Sequence, residues 1–271
     1  MKYGRLGFTE STLLFCYYLR NELKITNNEI ITYEISFLNW LFNTSGFYDA
    51  SFNYNYNYVY SENYKKLMDE FYQMSKQSNY SRFLIHNNSL SIHLPEFYKN
   101  FDIVNYSFEE QFNVIKSFVN CTNKTPKVLI INPISKIMKQ QYDSGNIFNL
   151  GLKELYMDDF PKIEIQCYVN EYTFFNKKYK NQNSFEYVDS IMPEINSMDF
   201  DCVIISCGAI SSLIANRVKK DYLIIGSDLL SFFGIKHDRI KGRYEYNQHW
   251  IDVPDECKPV EYKMVENGCY W

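Results

Sequence analysis

The sequence predicts an α/β protein in which a mostly parallel sheet carries helices on both faces. Three short apolar segments in the C-terminal half each end at a turn signal and lead into an amphipathic stretch, at residues 127–131, 202–206 and 222–225. Their apolar residues follow one another without polar alternation, as strands buried on both faces require. We therefore expect these three strands in the middle of a Rossmann-like sheet.

The N-terminal part is predicted to be more helical. A short strand at residues 2–5 leads into a helix over about residues 9–23, and residues 35–42 and 63–75 also show helical spacing of their apolar positions. Between these two segments, residues 52–60 alternate Tyr and Asn. That pattern fits an edge strand with a Tyr face, a low-complexity loop, or a platform on which sugars or bases stack.

The C-terminal half completes the predicted alternation of strands and helices. A fourth strand is expected at residues 163–169 because β-branched residues recur there. Helices are predicted at residues 134–142, 185–197, 209–219 and 228–233. Each strand is thus followed by a helix that can return the chain to the start of the sheet, as parallel strands require.

Composition bounds the class of protein. The 271 residues contain neither an internal repeat nor a Pro/Gly-rich linker, so we expect a single domain over residues 1–271 with lobes at about 1–120 and 121–271. The 25 Tyr and 21 Phe beside many Asn, Lys and Ile indicate an AT-rich genome, of a virus or a bacterium.

Charge and cysteine content exclude further classes. A net charge of −4 without a stripe of Lys and Arg argues against nucleic-acid binding. No apolar run approaches the about 20 residues of a membrane span, so no transmembrane segment is expected. Seven scattered Cys without a Cys-x-x-Cys pair are typical of reduced thiols. We therefore expect a cytoplasmic protein, in the host cytoplasm if the source is a virus.

The ends of the three central strands carry candidate ligand-binding residues. In open parallel sheets ligands bind outside the carboxyl ends of the strands, and the N-termini of the following helices attract phosphates. The residues at these ends are Asn132, Cys207, Gly208, Ala209, Gly226 and Ser227. The alternative is that Gly208 and Gly226 only close tight turns between strand and helix.

A segment near the C-terminus concentrates cationic and polar residues. Its candidates are Lys236, Arg239, Arg243, Asn247 and His249. This composition predicts a loop that closes over an anionic ligand. The alternative is a surface loop with a Trp packed beneath it, and a single His is more often hydrogen-bonded than catalytic.

The first turn of the N-terminal helix is the third candidate region. Arg5 and Glu10 flank it, and Gly7 lies between them. This pair of charges could act on a ligand at the end of the first strand. The alternative is that Glu10 serves only as a capping residue that interacts with the helix dipole.

Common nucleotide-binding and hydrolase motifs are absent, but the order of several short segments resembles one family. They are residues 4–10 (GRLGFTE), 127–133 (KVLIINP), 199–209 (DFDCVIISCGA), 233–236 (FGIK), 247–250 (NQHW) and 269–271 (CYW). In this order and spacing the chain resembles bacterial and giant-virus glycosyltransferases of polysaccharide biosynthesis, similar to the GT-D type.

The resemblance implies a glycosyltransferase that moves a sugar from a nucleoside-diphosphate-sugar donor to a glycan or glycoconjugate acceptor. The donor would bind the C-terminal lobe through the strand-end and C-terminal candidates, together with Gly7 of the first turn, and the acceptor would bind the N-terminal lobe. Glu10, Arg5 and His249 would be the catalytic residues, with Glu10 as base. Alternatives are a pyruvyl-transferase-like or other nucleotide-using enzyme that modifies carbohydrates, and a binding protein that keeps the fold without catalysis.

The resemblance also bears on metal binding. In GT-D enzymes the first turn reads Arg-aromatic-Gly-Asp-Gly-Glu, which places Arg5, Gly7 and Glu10 on matching positions and Phe8 on the position of the Asp. The family's Mg²⁺ or Mn²⁺ would have Glu10 as its ligand here. Because Phe8 removes the second carboxylate, the sequence favours a metal-independent site in which the C-terminal Lys and Arg neutralise the leaving diphosphate.

Overall fold

The structure is a computed structural model, and it describes residues 2–26, 28–52, 56–77, 94–99, 108–120, 125–152, 161–172, 181, 183–242 and 244–271. The strands are β1 (Lys2–Tyr3), β2 (Lys127–Ile131), β3 (Glu164–Tyr168), β4 (Cys202–Ile205) and β5 (Asp221–Ile224). The helices are α1 (Phe8–Asn21), α2 (Asn28–Thr44), α3 (Glu62–Gln77), α4 (Leu94–Tyr98), α5 (Phe108–Val119), α6 (Ser135–Asp143), α7 (Ser184–Ser197), α8 (Ile210–Ala215) and α9 (Asp228–Phe232).

The five strands form one parallel sheet in the order β1-β5-β4-β2-β3. Val203 lies opposite Leu129 on one side and opposite Tyr222 on the other. The predicted α/β class is therefore confirmed. The three strands expected in the centre occupy it, and the expected fourth strand forms one edge.

Both faces of the sheet are buried, which explains the uninterrupted apolar runs in the sequence. Leu129 and Ile131 face a core that includes residues of α1, α2, α3, α7 and α8. Their neighbours Val128 and Ile130 face a second core with residues of α5, α6 and α9. Because successive side chains of a strand point to opposite faces, every residue of β4 is needed in one core or the other.

Several elements differ from the prediction. Helix α2 begins at Asn28 rather than at residue 35, and helices α4 and α5 were not predicted. Helix α8 covers 210–215 rather than 209–219, because Asn216 caps it and donates from Nδ2 to the backbone oxygen of Glu70 on α3 at 2.9 Å. Residues 56–60 of the Tyr/Asn-rich stretch form a 3-10 helix and not a strand. Phe52 and Tyr58 of this stretch are buried against Phe42 and belong to the core, whereas Tyr56 and Tyr60 are exposed.

None of the helices in the described part of the chain combines the length and the apolar character that crossing a bilayer demands. The expected absence of a transmembrane segment agrees with this finding. Helix α2, at 17 residues, is the longest of these helices, and it buries one side against α1 while Trp40 on another side is 51% exposed.

Candidate functional site

A cavity of about 580 Å³ opens at the edge of the sheet where β1, β2, β4 and β5 end. Strand β3 lies on one side of β2, and β4 and then β5 lie on the other side. After β2 the chain adds β3 on one side and then crosses over to add β4 and β5 on the other side. The point at which the strand order reverses therefore lies between β2 and β4. Ligands of open parallel sheets bind at such a switch point.

Ten of the residues proposed from the sequence line this cavity. They are Arg5, Gly7, Glu10, Asn132, Cys207, Gly208, Ala209, Gly226, Ser227 and Arg239. The structure thus brings the first turn of α1 together with the ends of three central strands, although more than a hundred residues separate them in the chain.

Glu10 turns back over the start of α1. It is 8% exposed and occupies the third helical position after the N-cap residue Gly7. From that position a glutamate side chain reaches back toward the N-cap. A Cβ atom on Gly7 would lie 2.3 Å from Glu10 Oε2, so glycine leaves the space that the carboxylate occupies.

The surroundings of Glu10 favour its neutral form more than water does. Burial raises the pKa of Glu10, whereas the N–H group of Glu10, the charge of Arg5 and the N–H group of Gly7 lower it by less. Among the described residues no salt bridge joins Glu10 to a cation. A carboxyl group in this state can exchange a proton with a ligand in the cavity.

The guanidinium of Arg5 lies directly on the backbone of Gly226, in the turn after β5. A Cβ atom on Gly226 would lie 1.5 Å from Arg5 Nη1, so any other residue would displace the guanidinium. Arg5 Nε is buried and has no hydrogen-bond partner among the described residues. Because a buried donor without an acceptor costs free energy, this site has unused capacity for an anionic ligand.

In the turn after β4, the N–H groups of Cys207 and Ala209 are used within the protein. The N–H group of Cys207 donates to Ser211 Oγ at 3.1 Å, and that of Ala209 donates to the carbonyl of Ser45 at 2.8 Å. Gly208 has φ +66°, and its Cβ would lie 2.2 Å from the same carbonyl oxygen. The Ala209 N–H group therefore attaches the turn to the residue after α2, and the Cys207 N–H group attaches it to α8. The close approach of Gly208 to Ser45 fits the alternative of a tight turn.

The Cys207 thiol also faces the cavity wall without being reactive. Burial raises its pKa to about 12, and its Sγ lies 3.4 Å from Ser211 Oγ. The thiol is therefore protonated at neutral pH and is no nucleophile.

The turn after β5 leaves more of its N–H groups available to a phosphate than the turn after β4 does. The N–H groups of Gly226 and Ser227 have no acceptor among the described residues, while the carbonyl of Gly226 accepts from Ser206 Oγ at 3.2 Å. Helix α9 has only five residues, so its dipole adds little positive charge. Positive charge at this turn comes chiefly from Arg5.

Asn132 at the end of β2 fixes the geometry of the switch point. Its Nδ2 donates to the carbonyl of Ser206 at 2.5 Å, and its Oδ1 accepts from the N–H group of Ile134 at 2.9 Å. Both ends of the amide are thus used within the protein. Asn132 therefore positions the ends of β2 and β4.

Part of the C-terminal segment reaches the cavity. Arg239, Tyr270 and Trp271 line it, and the Arg239 guanidinium carbon lies 4.6 Å from the centre of the Tyr270 ring. Trp271 packs edge-on against Tyr172, with ring centres 6.0 Å apart. Arg239 thus adds a second guanidinium, held on an aromatic ring.

The other candidates of this segment lie elsewhere. Lys236 Nζ pairs with Asp252 at 3.0 Å, and Asn247 and His249 hydrogen-bond the 3-10 turn that follows α6. These three residues do not line the cavity. Asn247 and His249 attach the C-terminal segment to this turn, whereas Lys236 pairs within the segment. Arg243 lies outside the described residues.

The sequence did not point to several residues that line the cavity. Trp40 and Thr44 from α2 and Tyr172 from beyond β3 contribute to its wall. Their positions follow from helix packing over distant strands, which no local pattern encodes. Trp40 could have been found from the sequence, because it is a large aromatic residue on the polar side of an amphipathic helix.

The residues of the cavity do not fit a resident divalent metal. Glu10 is the carboxylate among the lining residues, and no group of three His, Cys, Asp or Glu side chains occurs in the part of the chain that the structure describes. Phe8 packs edge-on against Phe37 with ring centres 5.2 Å apart. Mg²⁺ and Mn²⁺ prefer several oxygen ligands, which this wall lacks.

Comparisons with protein families, with curated proteins and with solved structures found no match to this chain.

Proposed function

We propose that the protein is a glycosyltransferase that moves a sugar from a nucleoside-diphosphate-sugar donor to a glycan or glycoconjugate acceptor. The observation that carries this proposal is the meeting of Arg5 and Glu10 in the wall of a cavity at the strand ends of a parallel sheet. Arg5 offers a buried donor, Nε, without an acceptor among the described residues, and Glu10 offers a buried carboxyl with a raised pKa. Such a pair can stabilise a leaving anion and accept a proton.

The leaving diphosphate is assigned to the Arg5 side of the cavity. As the bond between the anomeric carbon and the phosphate oxygen breaks, negative charge grows on the diphosphate. The guanidinium groups of Arg5 and Arg239 and the N–H groups of Gly226 and Ser227 can receive it. Positioned donors of this kind stabilise the transition state more than the bound substrate.

The acceptor is activated by Glu10 in this proposal. An acceptor hydroxyl attacks the anomeric carbon, and its proton passes to Glu10 while the nucleoside diphosphate leaves with the electron pair of the broken bond. The cavity of about 580 Å³ lies in the size range of small-molecule sites.

The experiment is a survey of donors. UDP-, GDP-, CDP- and TDP-sugars are incubated with simple glycosides, and release of the nucleoside diphosphate is measured with and without EDTA. The proposal expects turnover of one donor class, unaffected by EDTA. Failure of every donor to bind or react contradicts it, and loss of activity in EDTA with recovery in Mn²⁺ contradicts the metal-independent form.

A further inference from the structure

Trp40 is an exposed aromatic residue whose position the proposed chemistry does not use. It lies in the last turns of α2 and lines the cavity, yet it is 51% exposed. Large aromatic side chains usually bury most of their surface within the folded protein. One that stays exposed is often a surface that a ligand or partner covers. A half-exposed indole in a cavity wall therefore offers a flat surface to a ligand.

The part of the cavity wall that α2 and the residue after it contribute is neutral. Helix α2 and the residue after it contribute Trp40, Thr44 and Ser45, none of which is charged. The Ser45 hydroxyl has no hydrogen-bond partner among the described residues, and the Thr44 hydroxyl donates to the carbonyl of Trp40 at 2.9 Å. An apolar ring beside a neutral hydroxyl suits a ligand that is itself neutral, with one apolar face and several hydroxyl groups.

The support beneath Trp40 is rigid. Thr44 accepts, through its backbone oxygen, a hydrogen bond from the Tyr172 hydroxyl, and Ser45 accepts from the N–H group of Ala209 at 2.8 Å. The end of α2 is thereby fixed to the turn after β4. A ligand stacked on Trp40 would be held at a defined height above the strand ends, which matters for a group that must meet a reacting carbon.

We propose that Trp40 is the platform of an acceptor subsite, on which a neutral pyranose ring stacks with its C–H face. The inference rests on the proposed function, because it assigns the neutral wall to the acceptor and the Arg5 side to the donor. A nucleobase is the other ring that could stack here. The neutral hydroxyl-bearing wall favours the sugar.

The test observes the indole directly. The chain has three Trp, so a ¹⁵N-labelled sample gives three indole N–H signals, and the one absent from Trp40→Phe belongs to Trp40. Methyl glycosides of glucose, galactose, mannose and N-acetylglucosamine are titrated in turn. Uridine, guanosine, cytidine and thymidine are titrated separately.

The proposal expects at least one glycoside to shift the Trp40 signal saturably while the nucleosides leave it in place. Trp40→Ala should weaken that glycoside about 3- to 10-fold, and Trp40→Phe, which keeps an aromatic ring, by less than about 2-fold. Tyr56→Ala is the matched control, because Tyr56 is 56% exposed but does not line the cavity. It should leave glycoside binding unchanged.

Two outcomes overturn the inference. In the first, nucleosides shift the Trp40 signal and glycosides do not, which would show that a nucleobase stacks on Trp40. In the second, no glycoside shifts the signal, which would show that Trp40 does not bind a sugar. Nucleoside diphosphates are titrated into the same samples. If they bind while glycosides do not, only this inference fails; if neither binds, the proposed function fails as well.

Discussion

An Arg–Glu pair lies at each end of helix α1, and the two pairs are used differently. At its C-terminal end Arg20 donates to Glu34 at 3.2 and 3.3 Å and to the carbonyl of Val59 at 2.8 Å, while the Tyr64 hydroxyl donates to Glu34. At its N-terminal end Arg5 and Glu10 form no salt bridge among the described residues, and Arg5 Nε has no partner.

The difference separates a structural pair from a candidate ligand site. Burial raises the pKa of both glutamates, so the pKa alone does not distinguish them. Glu34 is fully buried, and its neighbours use its oxygens. Glu10 and Arg5 line a cavity and keep capacity that the protein does not use. Unused hydrogen-bonding capacity, and not the mere presence of buried charge, indicates function here.

The largest expected effect is on activity at Glu10. Glu10→Gln keeps the shape of the side chain but removes the proton acceptor, so turnover should fall about 100- to 10,000-fold. Glu186→Gln is a matched control, because Glu186 is also the third residue after an N-cap on a 14-residue helix but is exposed. It should keep normal turnover in the same assay. Equal turnover of the two variants would reduce Glu10 to a capping residue.

The raised pKa of Glu10 gives a pH dependence with a defined sign. The base must be ionised, so turnover should fall as the pH drops through the pKa of Glu10, which burial raises. Because the folded state holds this proton more tightly than the unfolded chain, ionisation of Glu10 lowers stability once the pH rises through the raised pKa. Glu10→Gln should therefore remain as stable as the wild type at neutral pH. Urea unfolding at pH 5 and pH 8 checks this, and a clear loss at pH 8 would contradict it.

The next effect is on stability at the other end of α1. Glu34→Gln leaves the buried Arg20 guanidinium without its counter-charge, and guanidinium cannot lose its proton. The free energy of unfolding should fall by about 3–5 kcal/mol, as when one partner of a buried pair is removed. If this variant does not fold, Arg20→Met is measured instead. Its free energy of unfolding should fall by less, because Glu34 can take up a proton when Arg20 is absent. A loss below about 1 kcal/mol for Glu34→Gln would contradict the comparison.

A smaller effect tests the contact between Arg5 and Gly226. Gly226→Ala places a Cβ on the guanidinium, which is the flexible end of a side chain and can move away. We expect Gly226→Ala and Arg5→Ala each to weaken nucleoside-diphosphate binding about 10-fold or more, and the double variant to bind no more weakly than Arg5→Ala. Calorimetry on the four proteins measures this cycle. Additive losses would show that Gly226 acts independently of Arg5.

Much of the sheet could be predicted from the sequence, because short local patterns of residues determine where its strands and turns lie. Uninterrupted apolar runs mark β2, β4 and β5 as central strands, and Gly208 and Gly226 mark the turns that follow them. The sequence also placed Arg5 and Glu10 on either side of the first turn of α1, and both line the cavity.

The hydrogen bonding of the site could not be predicted, since it depends on distant partners. The N–H group of Ala209 is satisfied by Ser45, which is 164 residues away in the chain, so the turn after β4 presents less to a phosphate than its sequence suggests. Likewise Lys236 carries the right charge but pairs with Asp252 outside the cavity. Residue type alone did not separate it from Arg239.

The most direct test of this account is the affinity for a nucleoside diphosphate of the wild type, Arg5→Ala and Lys236→Ala, measured by calorimetry with UDP, GDP, CDP and TDP. Both residues are cations proposed from the sequence, but only Arg5 lines the cavity. We predict that Arg5→Ala weakens the preferred nucleotide about 10- to 100-fold, the loss of a charge-assisted contact, and that Lys236→Ala binds as the wild type does. Equal losses in the two variants, or a wild type that binds none of the four nucleotides, would contradict it.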